Sequence, residues 1–141
     1  MIKRRTVILD NEAVQALIDI KHPKHRLVVS TVELATGRNE RRGDVVRLIV
    51  PTAVRVESAW DRRTRGAATI NRLRFEDAAL NSHAADRAAA VRLVLEVSVA
   101  DAHIAAVLGD TKGPHAVVTS DRKDLARIAT HLGIRVEIVP V

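Results

Sequence analysis

The 141-residue chain has no cysteine and no tyrosine, and only one phenylalanine, one tryptophan and one methionine. Without thiols it can form neither disulfides nor thiolate metal sites, which suits a reducing compartment such as the cytoplasm. So few aromatic rings argue against a base-stacking platform as the means of holding single-stranded nucleic acid. The most apolar window, Ala88 to Leu108, is broken by Arg92, Glu96, Asp101 and His103, so no membrane span is expected. The basic start, Met1-Ile-Lys-Arg-Arg-Thr6, is followed by Asp10, Glu12 and Asp19, which interrupt any signal-peptide core. Gly-rich phosphate loops, a GxSxG elbow and a Walker motif are missing too, which disfavours P-loop nucleotide hydrolysis and serine hydrolysis. His22, His25, His83, His103, His115 and His131 are scattered without the spacing of paired ligands and read as surface or packing residues.

What is present is an alternation of short apolar runs and helical periods. Thr6–Leu9, Val45–Val50, His115–Thr119 and Ile134–Val139 read as buried strands, with a brief strand near Arg74–Glu76. Helical periods fill Glu12–Ile20, His22–Arg38, the stretch from Thr52, Ala67–Leu73, Ser82–Val97, Ser98–Leu108 and Asp121–Leu132. Repeated strand-helix units with short turns imply one domain over residues 1–141. Its expected fold is a three-layer α/β/α sandwich with a mainly parallel central sheet. Basic residues outnumber acidic ones by 23 to 17, a net charge of +6 that biases the surface toward polyanions. Arg38, Arg41, Arg42, Arg62, Arg63 and Arg65 form two clusters able to hold a nucleic-acid backbone.

Four acids stand out against this pattern. Asp10 and Asp121 each follow a strand and open a helix. Asp101 lies in the first turn of an apolar helix, in phase with Ile104, Ala105 and Leu108. Glu57 falls within the arc of Ala53, Val56 and Trp60, and so is expected to face inward on a helix capped by Thr52. Each has a bland alternative: Asp10 and Asp121 as N-caps, Asp101 as the third-position acid of a capping box on Ser98, and Glu57 as an arginine partner. Parallel strands would nevertheless send all four to one sheet edge, the edge where open α/β sheets bind ligands. Like charges so gathered need a counter-cation, and an oxygen-only set favours Mg²⁺ or Mn²⁺ over zinc. Such an ion activates water against a phosphodiester.

The ordered set Val7-Ile-Leu-Asp10, Pro51-Thr-Ala-Val-Arg-Val-Glu57, Ser98-Val-Ala-Asp101-Ala-His-Ile-Ala-Ala and Val117-Val-Thr-Ser-Asp121-Arg-Lys-Asp124-Leu resembles the PIN domains, and among them the VapC-type toxins of bacterial toxin-antitoxin pairs. The resemblance covers essentially the whole chain. It implies a Mg²⁺- or Mn²⁺-dependent endoribonuclease of the cytoplasm, a homodimer neutralised by a cognate antitoxin. Asp10, Glu57, Asp101 and Asp121 then take the four acidic metal-site positions and act in catalysis. Thr119 takes a supporting hydroxyl position, Asp124 assists, and Arg62, Arg63 and Arg65 bind RNA. Asn11-Glu12 departs from the small hydroxyl residue many members carry after the first acid. Two other readings compete. A non-catalytic module of the same fold would bind RNA or protein and use the acids as caps. A phospho-acceptor receiver domain would need a lysine where Thr119, Ser120 and Asp121 stand.

Overall fold

The computed structural model describes the backbone of residues 3–41 and 43–141, and the side chains of these except 38–41. Arg38, Arg41 and Arg42 therefore lie outside the described side chains. Five strands, β1 (Arg4–Leu9), β2 (Val45–Pro51), β3 (Glu76–Ala78), β4 (His115–Thr119) and β5 (Val136–Pro140), form one sheet in the order β3-β2-β1-β4-β5. Every pairing is parallel, with Val7 opposite both Leu48 and Ala116. Parallel neighbours need long crossovers, and helices supply them. These are α1 (Asn11–Ile18) and α2 (His25–Arg41), then α3 (Thr52–Glu57) and α4 (Ala68–Arg72), then α5 (Ser82–Val94) and α6 (Val99–Asp110), and finally α7 (Arg122–Leu132). The result is the expected three-layer α/β/α fold.

Burial follows from this topology. Strands covered on both faces read as continuous apolar runs, as Val7-Ile-Leu9 and Ala116-Val-Val118 do. Helix α6 is buried from Ala102 to Leu108, the mark of a helix enclosed on all sides. Helix α7 is amphipathic instead: it buries Leu125 and Ile128, and ends on Gly133 at φ 66°, a left-handed cap that a side chain would strain.

Three local expectations are corrected. The basic segment after Gly37 is helical as far as Arg41, since one glycine costs a helix only about 1 kcal/mol and the charged residues around it are good helix formers. Thr52 does not cap α3. Pro51 holds that position without a side-chain bond, and the Thr52 hydroxyl accepts from the Leu80 amide at 3.0 Å. Helix α3 stops at Glu57 because Ala59 turns left-handed at φ 56°. The arc joining Ala53, Val56 and Trp60 is thus never completed: Val56 is 82% exposed, and Trp60 is buried from the loop that follows. No helix among the described residues is long and apolar enough to cross a membrane.

Candidate metal centre

The strand order reverses between β1 and β4, where the chain, having moved outward through β2 and β3, returns to the other side of β1. Outside the carboxyl ends of such a pair lies the crevice that open α/β sheets use for ligands. Asp10 follows β1 and Asp121 follows β4, so both stand at this crevice.

Asp10 is buried and fully engaged. One carboxylate oxygen caps α1 by accepting from the Ala13 amide at 2.9 Å. The other accepts from the Thr119 hydroxyl at 2.5 Å and the Ser120 amide at 3.2 Å. Burial pushes its pKa up, the bonds from Thr119, Ala13 and Ser120 pull it down, and neighbouring Glu12 adds to the rise. The Thr119 hydroxyl accepts in turn from the Asp121 amide at 2.9 Å, so one buried oxygen ties the two strand-end acids together.

On the other side of the crevice, Asp121 caps α7 by accepting from the Asp124 amide at 3.1 Å. Ser98 caps α6 by accepting from the Asp101 amide at 3.0 Å. These caps aim three carboxylates at one point: oxygens of Asp101, Asp121 and Asp124 all lie within 4.8 Å of one another. The half-buried Asp101 registers the crowding. Its pKa is raised to about 6, by burial first and then by the charges of Asp10, Asp124, Asp121 and Glu57. The other three acids singled out from the sequence, Asp10, Glu57 and Asp121, thus all act on Asp101, and Asp124 acts with them. We expect Ser98→Ala to lower stability by about 1 kcal/mol in thermal unfolding, the usual cost of a lost cap.

Glu57 does not face inward. It is exposed at the end of α3, against the expectation from helical phase, yet close enough to add to the charge on Asp101. It lines a cavity of about 390 Å³ with Ala53, Val56, Leu80, Ser98, Val99 and Ala100. Among the described residues no lysine or arginine pairs with Glu57, Asp101 or Asp121. Asp124 contacts Arg127 at 3.2 Å on the surface. Of the arginines, Arg62 is committed to the Phe75 carbonyl and Asp77 at 3.0 Å and stacks on Trp60, and Arg63 to Asp61 at 2.8 Å. Arg65 is exposed.

The donor set fits a small hard cation. It is all carboxylate, Asp101 and Asp121 have no lysine or arginine paired with them among the described residues, and its oxygens lie within 4.8 Å of one another, on the scale of the roughly 4 Å that separates opposite oxygens around octahedral Mg²⁺. No protein-family model matches the chain, and no curated protein matches it in sequence. The fold does have a match, in the crystal structure of VapBC2 from Rickettsia felis bound to a DNA fragment from their promoter. Its TM-score is 0.60 at 15% identity, over 94% of this chain and 98% of that one. This is a likeness of fold. It runs over nearly the whole of both chains.

One residue of the site's surroundings was not legible beforehand. His103, two residues after Asp101, is fully buried, and its Nδ1 accepts from the Ala53 amide at 3.2 Å, joining α6 to α3. Burial lowers its pKa. The backbone of Ala79 acts the other way, while Nε2 makes no close hydrogen bond. Its position inside an apolar stripe gives packing as the natural reading from sequence.

Proposed function

We propose that this chain is a VapC-type toxin of the PIN family: a Mg²⁺- or Mn²⁺-dependent endoribonuclease that hydrolyses phosphodiester bonds in RNA and is restrained by an antitoxin protein. The observation that carries this reading is the gathering of carboxylates on Asp101, whose pKa is raised to about 6 by burial first and then by four neighbouring acids, with no paired lysine or arginine among them except at Asp124. An uncompensated cluster of this kind is relieved by a divalent ion or by protonation. Asp101, Asp121 and Asp124 would hold the ion, with Asp10 and Glu57 flanking it. When bound, such an ion lowers the pKa of water and neutralises charge on a phosphate in the transition state. The +6 net charge suits a polyanionic substrate, and exposed Arg65 is the member of its cluster best placed to meet one. The fold shared with VapBC2 supports a partner protein, and the same reading makes the chain a cytoplasmic homodimer.

The test is a cleavage assay with purified chain, labelled single-stranded and hairpin RNAs, and Mg²⁺ or Mn²⁺ against EDTA. Metal-dependent fragments are expected. Intact RNA under every metal condition, from protein shown to be folded, overturns the proposal.

A second reading, a non-catalytic module binding RNA or protein, is favoured by the capping bonds: Asp10 and Asp121 both serve helices without any metal. Mn²⁺ separates the two. A native-state ligand at 100 times its Kd stabilises by about 2.7 kcal/mol, so a rise of several degrees in melting temperature is expected for the nuclease. A melting temperature unmoved by saturating Mn²⁺ favours the module.

A further inference from the structure

Helix α3 has six residues and begins at Pro51, which offers no side-chain cap. The first amides of a helix lack partners within it and must find them elsewhere. Here the partner is an imidazole from another helix, since the Ala53 amide donates to His103 Nδ1 at 3.2 Å. A nitrogen that accepts carries no proton, so the ring proton sits on Nε2.

That side of the ring argues against a packing role alone. Nε2 is buried and makes no close hydrogen bond, although the Ala79 backbone stands near the ring, and an apolar side chain would fill the space with no polar edge to satisfy. What the imidazole adds is the bond to Ala53. Ala53 and Glu57 are four residues apart and so share one face of α3. Both line the cavity that Ser98, Val99 and Ala100 close from the α6 side. Asp101 follows Ala100 directly, so Glu57 and Asp101 stand at the two walls of one cavity.

We propose that His103 is a positioning residue: by fastening the start of α3 to α6 it sets where Glu57 stands relative to Asp101, and so tunes the cation affinity of the crevice. This rests on the metal-dependent reading above. Outer partners that orient ligands typically change metal affinity by about 10- to 100-fold when removed.

The test uses the full chain and two variants. His103→Leu keeps an apolar filling and removes the acceptor. His103→Asn places an amide oxygen at the Nδ1 position and restores it. Mn²⁺ binding is measured by isothermal titration calorimetry, and amide exchange of Val54 to Glu57 is followed in the metal-free protein. We expect His103→Leu to raise the Mn²⁺ Kd about tenfold and to speed exchange in α3. RNA cleavage by the same variant should lose kcat at unchanged KM for RNA. His103→Asn should return all three to near the parent values. If His103→Leu does not fold, His103→Gln, whose amide reaches the Nε2 position instead, takes its place with the same expected loss.

Equal Mn²⁺ affinity in the parent and His103→Leu overturns the proposal, as does an equal defect in the Leu and Asn variants or a parent that binds no Mn²⁺. A parent that binds Mn²⁺ and leaves RNA intact sinks the nuclease reading alone, because the affinity ratio still reports on His103.

Discussion

Replacing Asp101 with asparagine should raise the melting temperature of the metal-free protein at pH 7 while removing metal-dependent RNA cleavage. The stability half follows from proton linkage. Asp101 has a pKa of about 6 in the folded chain against 3.8 for a free aspartate, so the folded state binds the proton more tightly than the unfolded state does. Its contribution to stability therefore falls as pH rises from about 4 to about 6, and stays low above that. Two pKa units correspond to almost 3 kcal/mol, but the carboxyl is partly solvated, so about 1–2 kcal/mol is the defensible cost at pH 7. Asparagine removes that cost and loses a favourable charge at the start of α6, worth about 0.5 kcal/mol. The net gain is a few degrees. It should be mostly gone near pH 4, where the folded carboxyl is protonated and the unfolded one is approaching half protonation. Cleavage in Mn²⁺ should drop by about two to three orders of magnitude, the usual effect of removing one preorganised electrostatic contact. Melting curves at pH 4 and 7, beside a cleavage assay, check both halves. A variant less stable than its parent at pH 7 would contradict the crowding at Asp101, and one that still cut RNA at the parental rate would contradict the assignment of this acid.

That opposition between stability and activity marks what could be read from the sequence. Strands β1, β2 and β4 were legible because parallel strands buried on both faces carry unbroken β-branched and aliphatic runs, whereas the exposed edge strand β3 lies at Glu76–Ala78, beyond the expected Arg74–Glu76; Asp10, Ser98 and Asp121 were legible because caps follow local rules. The two uses of Asp10 and Asp121, cap and candidate ligand, were not alternatives after all: the bond that caps each helix also fixes its carboxylate at the switch point between β1 and β4. Glu57 failed as an inward residue because helical phase assumes a helix that continues, whereas α3 ends at a left-handed alanine two residues on. Nor could the partners that hold the half-buried Arg62 be foreseen. Its partners, Asp77 and the Phe75 carbonyl, lie beyond α4, and only the fold brings them to it. Asp124, an assisting residue in the sequence reading, reaches the tight trio because α7 starts at Asp121 and one turn later returns to the same face.

Asp10 should separate scaffold from chemistry when replaced in two ways. In Asp10→Ala, α1 loses its cap, at about 1 kcal/mol. The buried Thr119 hydroxyl and the part-buried Ser120 amide then lose their acceptor, and each unsatisfied group costs about 1–3 kcal/mol, the amide toward the lower end. The sum, about 3–7 kcal/mol, is a large share of the 5–15 kcal/mol that holds a typical domain together, so this variant should melt far lower or express poorly. In Asp10→Asn the remaining oxygen can still cap α1 through Ala13. The new amide, however, meets the Ser120 N–H donor to donor, while the Thr119 oxygen, already accepting from Asp121, is the only acceptor in reach of it among these partners. That conflict should cost about 1–2 kcal/mol and leave a folded protein. Cleavage, by contrast, should be lost in both, because the asparagine amide presents no anionic oxygen to a cation. Chemical denaturation and the RNA assay on the two variants check this together. If Asp10→Asn cut RNA as the parent does, Asp10 would be a structural hub only, and the cation would belong to Asp101, Asp121 and Asp124 alone.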